Sequence, residues 1–292
     1  MSNAVAFAPG HISGFFQPIY EPSDILRTGS RGAGFSVCLG ATSSVSLQDA
    51  DDQRIVTFLN GSIIESMLID TCIRSLIGDR KLMVTCNIHL DLPISQGFGM
   101  SAASALSTAY ALAYCLHLPF DDAVKAAHTA EVTLKTGLGD VIGSYKGGFE
   151  IRERPGIPPD GEIHTIYQDQ DIVLCVVDTA IITKDVLSDT KKRRSIDRYG
   201  GECTDALLKD FSVGEFFRLS ELFARKTGLA SDRVLEVIGA VKKISPASMC
   251  MLGGSIFALG NTRDLVETLD HFGQVFVTKV DMHGVRILST RS

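Results

Sequence analysis

Three stretches of the 292-residue chain group residue types that can handle a phosphate and a proton. The first, QGFGMSAAS from Gln96 to Ser104, sets glycines ahead of an Ala- and Leu-rich run with helical character. Glycine lets the backbone approach an anion closely, and the free amides that open a helix, at the positive end of its dipole, attract negative charge. Taken alone, the segment is equally compatible with a plain turn between a strand and a helix. The second stretch, AEVTLKTGLGDVIGSYKGG from Ala130 to Gly148, carries Glu131 on a helix and Asp140 nine residues later in a Gly-flanked loop. Carboxylates so spaced can converge, one on a divalent cation and the other on a hydroxyl proton; a solvated helix Glu and a turn-forming Asp are the plainer view of the same residues. The third, AFAPGHISGFFQP from Ala6 to Pro18, reads as a strand entering a Pro-Gly turn, which leaves His11 at a strand end facing a cleft.

Further candidates stand outside these stretches. In TGSRGAGFS, Arg31 lies among Gly29, Gly32 and Gly34, and an arginine on a Gly-rich loop suits bidentate capture of a carboxylate, with a solvated arginine as the alternative. Gly253 and Gly254 in CMLGGSIFALG make a tight turn or a backbone wall for a ligand, and KKRR at 191–194 looks like a helix face. Gly97, Gly99 and Ala102 match the loose G-x-G-x-x-[GA] pattern, but dinucleotide binding also needs a second strand ending in an acid about 20 residues on. Asp121 and Asp122 begin a helix instead. No GxxxxGK[ST] occurs, which excludes a P-loop, and the histidines show no HExxH or paired zinc spacing.

The elements that would position these residues alternate. Short β-like runs occupy 35–47, 54–61 and 81–95, with a helical pattern at 63–78; the strand at 81–95 runs straight into the Gly-rich turn and its long helix. A second helix follows from Asp121 and stops at Gly137, and three prolines in the five residues 155–159 suggest a boundary near residue 160. Beyond it come a buried strand from Asp171, helices at 212–228 and 231–245, strand-like 250–260, a helix at 262–273 and a final strand at 274–288. The class is mixed, α+β, as two halves, 1–160 and 161–292, with a cleft between them.

Composition narrows the partners. Hydrophobic residues make up 45% and charged residues 21% of the chain, which suits a globular core, and the net charge of -6 argues against a nucleic-acid surface. No apolar run reaches the roughly 20 residues that span a bilayer. The start of the chain lacks the basic-then-apolar pattern of a secretory signal, so a cytoplasmic location is expected. The seven cysteines form no CxxC pair and read as reduced core or near-core residues.

Taken in order, APGHISGFF, PISQGFGMSAAS and SMCMLGGSIFAL resemble the three motifs of the GHMP kinases, the superfamily of galactokinase, homoserine kinase and mevalonate kinase. His11 stands where Arg or Lys is common, Met100 replaces the first serine of the second motif, and the third motif has lost most of its glycines. These departures, with GSRGAGFS and GFEIRERPGIPPDGE, look like the archaeal pantoate kinases, which make 4-phosphopantoate on the route to coenzyme A. The resemblance implies a ribosomal protein S5 domain 2-like N-terminal domain and a ferredoxin-like C-terminal domain, ATP and Mg2+ as cofactors, and a homodimer. It implies ATP binding by Pro93, Ser95, Gln96, Gly97, Phe98, Gly99, Met100, Ser101, Ala102 and Ala103, magnesium at Ser101 and Glu131, and Asp140 against the acceptor hydroxyl. Gly253 and Gly254 would face the acceptor; Arg31 is the first choice for its carboxylate, with His11, Arg152 and Lys184 after it. Within the superfamily homoserine, shikimate or mevalonate are alternative acceptors. A non-catalytic ligand-binding member of the fold and a nicotinamide-dependent oxidoreductase are the rivals from other classes.

Overall fold

The computed structural model describes residues 2–179 and 190–291. Two antiparallel-rich sheets form its frame. The first contains β1 (Ser2–Ile19), β2 (Gly29–Asp49), β3 (Arg54–Leu59), β4 (Ser62–Ile64), β5 (Leu82–Leu90), β6 (Phe149–Arg154), β7 (Glu162–Ile166) and β12 (Arg286–Arg291). Its main path runs β12-β1-β2-β5-β3-β4, with β6 and β7 attached along the early half of β2. The second sheet is β8 (Asp171–Val176), β9 (Ala247–Met249), β10 (Ser255–Leu259) and β11 (Gln274–Lys279), ordered β11-β8-β10-β9. In chain order this sheet has strand order 4-1-3-2 within a βαββαβ unit, the ferredoxin-like arrangement expected.

Helices cover the sheets: α1 (Met67–Ile77), α2 (Met100–Leu116), α3 (Phe120–Leu134) and the short α4 (Asp140–Lys146) in the first half, then α5 (Thr190–Leu207), α6 (Val213–Thr227), α7 (Asp232–Val241) and α8 (Thr262–Leu269). Ala, Ser and Leu let α2 pack on β1 and β2 with nearly every residue buried, Ser101, Tyr114 and Leu116 excepted. A cluster of phenylalanines joins the halves. Phe35 on β2 meets Phe257 on β10 at 5.2 Å between ring centroids, and Phe15 on β1 meets Phe216 on α6 at 6.1 Å. Such pairs add to burial in fixing the two layers. Among the described residues no helix is long and apolar enough to cross a membrane.

The structure departs from several expectations. The boundary near residue 160 falls inside the β6–β7 hairpin, and β12 returns to the first sheet, so the strands after residue 160 are shared between both sheets. The expected final strand at 274–288 is two strands in different sheets; between them Asp281 Oδ1 accepts from the amides of His283 (3.0 Å) and Gly284 (2.8 Å), a side-chain-stabilised turn. Pro9–Gly10 is not a turn. β1 continues through it with a bulge, and Pro9 lies beyond the last β1–β12 pair, Phe7 with Arg286, where no ladder bond to that strand is needed from it. The Gly-rich stretch holding Arg31 is the start of β2 rather than a loop. All seven cysteines are free, and Cys38 is exposed rather than in the core.

Candidate active site

The strand β5 delivers the chain to a loop whose backbone turns left-handed three times, at Ser95 (φ 61), Gly97 (φ 78) and Gly99 (φ 64). Close neighbours explain the glycines: a Cβ on Gly97 would lie 2.8 Å from the Cys250 carbonyl oxygen, and one on Gly99 would lie 2.8 Å from that of His11. The loop ends in α2, which begins without a side-chain cap. Helices α1, α6, α7 and α8 start on Ser66, Ser212, Ser231 and Asn261, each accepting a first-turn amide. The amides opening α2 therefore remain available, at the positive end of a 17-residue helix with no acid in its first turn. They face a cavity of about 440 Å³ lined by Ser95, the run from Gly97 to Ala102, Ser13, Ser30, Glu131 and Asp140, with Met251 and Leu252 from the second sheet's turn.

Both carboxylates named from the sequence reach this cavity, in different states. Asp140 is the first residue of α4 rather than part of a loop, and about a third of its side chain is open (32%). Its Oδ1 lies 2.8 Å from His11 Nδ1. Burial alone would raise the Asp140 carboxyl, but the His11 bond, the charges of His11 and Arg152 and a Ser13 hydrogen bond bring it below the usual carboxylate value. Glu131 on α3 is buried; burial first and the Asp140 charge second hold it well above its ordinary value, only partly offset by the Val141 amide and by Arg152. Its Oε2 has no hydrogen-bond partner.

Behind Asp140 lies a chain of charge. His11 is fully buried, with Nε2 at 2.9 Å from Glu150 Oε1, and that same oxygen accepts from Arg152 Nη1. Carboxylates only accept, so His11 donates from both nitrogens and is an imidazolium. Burial lowers its pKa, but the two carboxylates outweigh it and the net shift is upward. Of the carboxyls near the cations His11 and Arg152, Glu131 is the one that burial and the Asp140 charge push toward its protonated form. The ring has little spare room: a Cβ on Gly34 would fall 2.5 Å from His11 Nε2, and one on Gly143 2.1 Å from Cδ2.

Other sequence candidates lie elsewhere. Pro93, Gln96 and Ala103 do not line the cavity; Gln96 Oε1 instead accepts from Gly254 N at 3.0 Å. Gly253 packs where a Cβ would meet the Gln96 carbonyl, so the glycine pair supports the loop from behind. Arg31 is spent on Glu153 O (2.9 Å), Gln17 Oε1 (3.3 Å) and Asp205 Oδ1 (2.6 Å), away from the cavity. His11 is enclosed by Asp140 and Glu150 and offers no free nitrogen to a substrate. Arg152 is buried, bonded to Glu150 and reaching Ser13 Oγ at 3.4 Å, with Nε unpartnered. Lys184 lies outside the described residues. Sequence reasoning missed Glu150; its signal was alternation in FEIRER, where period two puts Glu150 and Arg152 on one face of β6.

The fold defines the GHMP kinase class, and the GHMP kinases N terminal domain family matches residues 67–148. Curated relatives carry the comparison across the rest of the chain. A pantoate kinase from Thermococcus kodakarensis is 34% identical over 261 residues, covering 87% of this chain and 86% of that protein. A pantoate kinase from Methanospirillum hungatei is 34% identical over 297 residues, covering 99% and 97%. Among solved structures, a phosphotransferase related to the CoA biosynthesis pathway superposes with TM-score 0.89 at 29% identity, covering 98% of both chains. The mevalonate kinase of Methanococcus jannaschii, 15% identical with TM-score 0.68 over 95% of this chain and 98% of its own, shares the fold. The chain belongs to the pantoate kinase family.

Proposed function

We propose that this chain transfers the γ-phosphoryl group of ATP, with magnesium, to the 4-hydroxyl of pantoate. The observation that carries the proposal is Asp140: a carboxylate held ionised, partly open, on the wall of the cavity that also receives the uncapped amides of α2. Phosphoryl transfer asks mainly for positioning and charge stabilisation, and both halves of that requirement meet here. The amides from Gly97 to Ala102 bind the triphosphate. Asp140 orients the acceptor hydroxyl and accepts its proton as the oxygen–phosphorus bond forms and the bond to the β-phosphate oxygen breaks. His11 and Arg152 keep Asp140 ready to accept.

Ser101 and Glu131 fit a hard cation, because both offer oxygen to one cavity and Glu131 Oε2 is buried without a partner. Bound there, magnesium supplies neutralisation of the β- and γ-phosphate charge. Glu131 must lose its proton to ligate, so its raised pKa makes metal binding weaker as pH falls. Arg152 stands behind Asp140 rather than on the cavity wall, its unpartnered Nε close to Gly139, where a Cβ would lie 2.8 Å away, so it serves the acceptor site through the charge state of Asp140.

An ADP-release assay across pantoate, homoserine, shikimate and mevalonate tests the assignment. Turnover should be highest with pantoate and should stop when magnesium is chelated; preference for another of the four moves the chain within the superfamily. The archaeal origin of the named relatives supports an archaeal enzyme, the sequence supports a cytoplasmic location, and the resemblance of the motifs supports a homodimer, which light scattering of the purified chain checks.

A further inference from the structure

Five non-glycine residues among those described have φ in the left-handed region: Asn60, Ser95, His117, Lys135 and Leu252. Three have local reasons. Asn60 sits at the β3–β4 turn, where asparagine tolerates this conformation, and His117 and Lys135 close α2 and α3 as left-handed C-caps. Ser95 and Leu252 close no helix, and both line the cavity. Leucine is the more anomalous occupant, because a bulky side chain is disfavoured at positive φ. Gly253 and Gly254 follow it directly, so glycine in this turn is available to the sequence and absent at the position that most needs it. Strain of this kind persists where the side chain or geometry serves a site.

The turn's surroundings say which part of the site. Met251 N donates to Ser13 O at 3.1 Å, and the Ser13 hydroxyl reaches both Arg152 Nη2 (3.4 Å) and Asp140. On its other side the turn lies against the phosphate loop, at Gln96 and Gly97. The turn that carries Leu252 thus touches Ser13, a neighbour of the proton acceptor, on one side and the triphosphate loop on the other, and Leu252 itself lines the cavity between them.

We infer that Leu252 is a specificity-determining residue for the acceptor: its isobutyl group forms the apolar wall against the methyl-bearing carbon next to the carbon that carries the phosphorylated hydroxyl. The assignment rests on the pantoate reading above. The left-handed backbone is retained for that side chain.

The test measures wild type, Leu252→Gly and Leu252→Asn with pantoate and with 2,4-dihydroxybutanoate, the same acid without its two methyl groups, alongside melting temperatures. Glycine and asparagine both tolerate the backbone, which offsets the packing Leu252 gives up at the edge of the core, so both variants should still fold and melt cooperatively. The pantoate KM should rise about tenfold or more while the ATP KM stays within about twofold, because one apolar contact is worth roughly that much discrimination. The preference for pantoate over the demethylated acid should fall by a similar factor of about ten. Folded variants with unchanged acceptor preference, or a rise in the ATP KM instead, overturn the assignment. So does loss of folding in both variants, which makes Leu252 a purely structural residue. Wild type without turnover on pantoate removes the parent reading, and this inference with it, before any variant is compared.

Discussion

Replacing His11 by Asn removes the fixed positive charge beside Asp140 while leaving an amide nitrogen near the place of Nδ1 that can still donate one neutral hydrogen bond to it. The 2.8 Å contact in the native site is charge-assisted. Such bonds contribute about 1.5–3 kcal/mol against about 0.5–1.5 for neutral ones, so the ionised form of Asp140 loses about 1–1.5 kcal/mol. At 1.36 kcal/mol per pKa unit, the Asp140 carboxyl should rise by about one unit. The acidic limb of the kcat profile, measured by ADP release at saturating ATP, magnesium and pantoate, should shift upward by about the same amount. Stability should change with pH in step. The native His11 pKa is raised, so its imidazolium stabilises the fold fully below the ordinary 6.5 and loses that effect as pH rises through the folded value. His11→Asn should abolish this slope in melts above pH 6.5. An acidic limb that stays in place in the folded variant refutes the link between His11 and the charge state of Asp140.

Glu131→Gln should cut turnover by about 100-fold or more by removing a metal-ligating oxygen. Native Glu131 binds its proton more tightly than the unfolded chain does, so stability falls as pH rises from 4.5 through the folded value; the variant should lose that slope and, without metal, melt a few degrees higher at pH 8. Gly143→Ala puts a methyl 2.1 Å from the His11 ring and should cost about 1–3 kcal/mol in urea unfolding. Ser101→Ala should weaken nucleotide binding in the presence of magnesium by about tenfold in calorimetry and leave the pantoate KM nearly unchanged.

The parts of the site that were legible in the sequence are those encoded locally. The phosphate loop declared itself because glycines at 97 and 99 precede an Ala-rich helix, and Glu131 with Asp140 stood out because both lie in one short segment. What stayed hidden depends on long-range pairing. His11 and Glu150 are 139 residues apart, and nothing in the spacing of either says they meet. The glycines around Arg31 signalled a loop, yet Gly34 is small because the His11 ring lies against it across two paired strands. Pro9–Gly10 mimicked a turn because proline inside a strand is tolerated only where a ladder ends, and the end of β12 is set by a segment more than 270 residues away. The strand order of the second sheet likewise follows from tertiary packing, although its elements were visible one by one.

Asp140→Asn tests the central claim most directly, since it keeps the shape of the side chain and removes its capacity to accept a proton. Turnover on pantoate should fall by about 100-fold or more. ATP affinity, measured by calorimetry on the same sample, should stay within about twofold of wild type. A folded variant that retains ATP binding and phosphorylates pantoate at a near-normal rate contradicts the role of this carboxylate and the mechanism built on it.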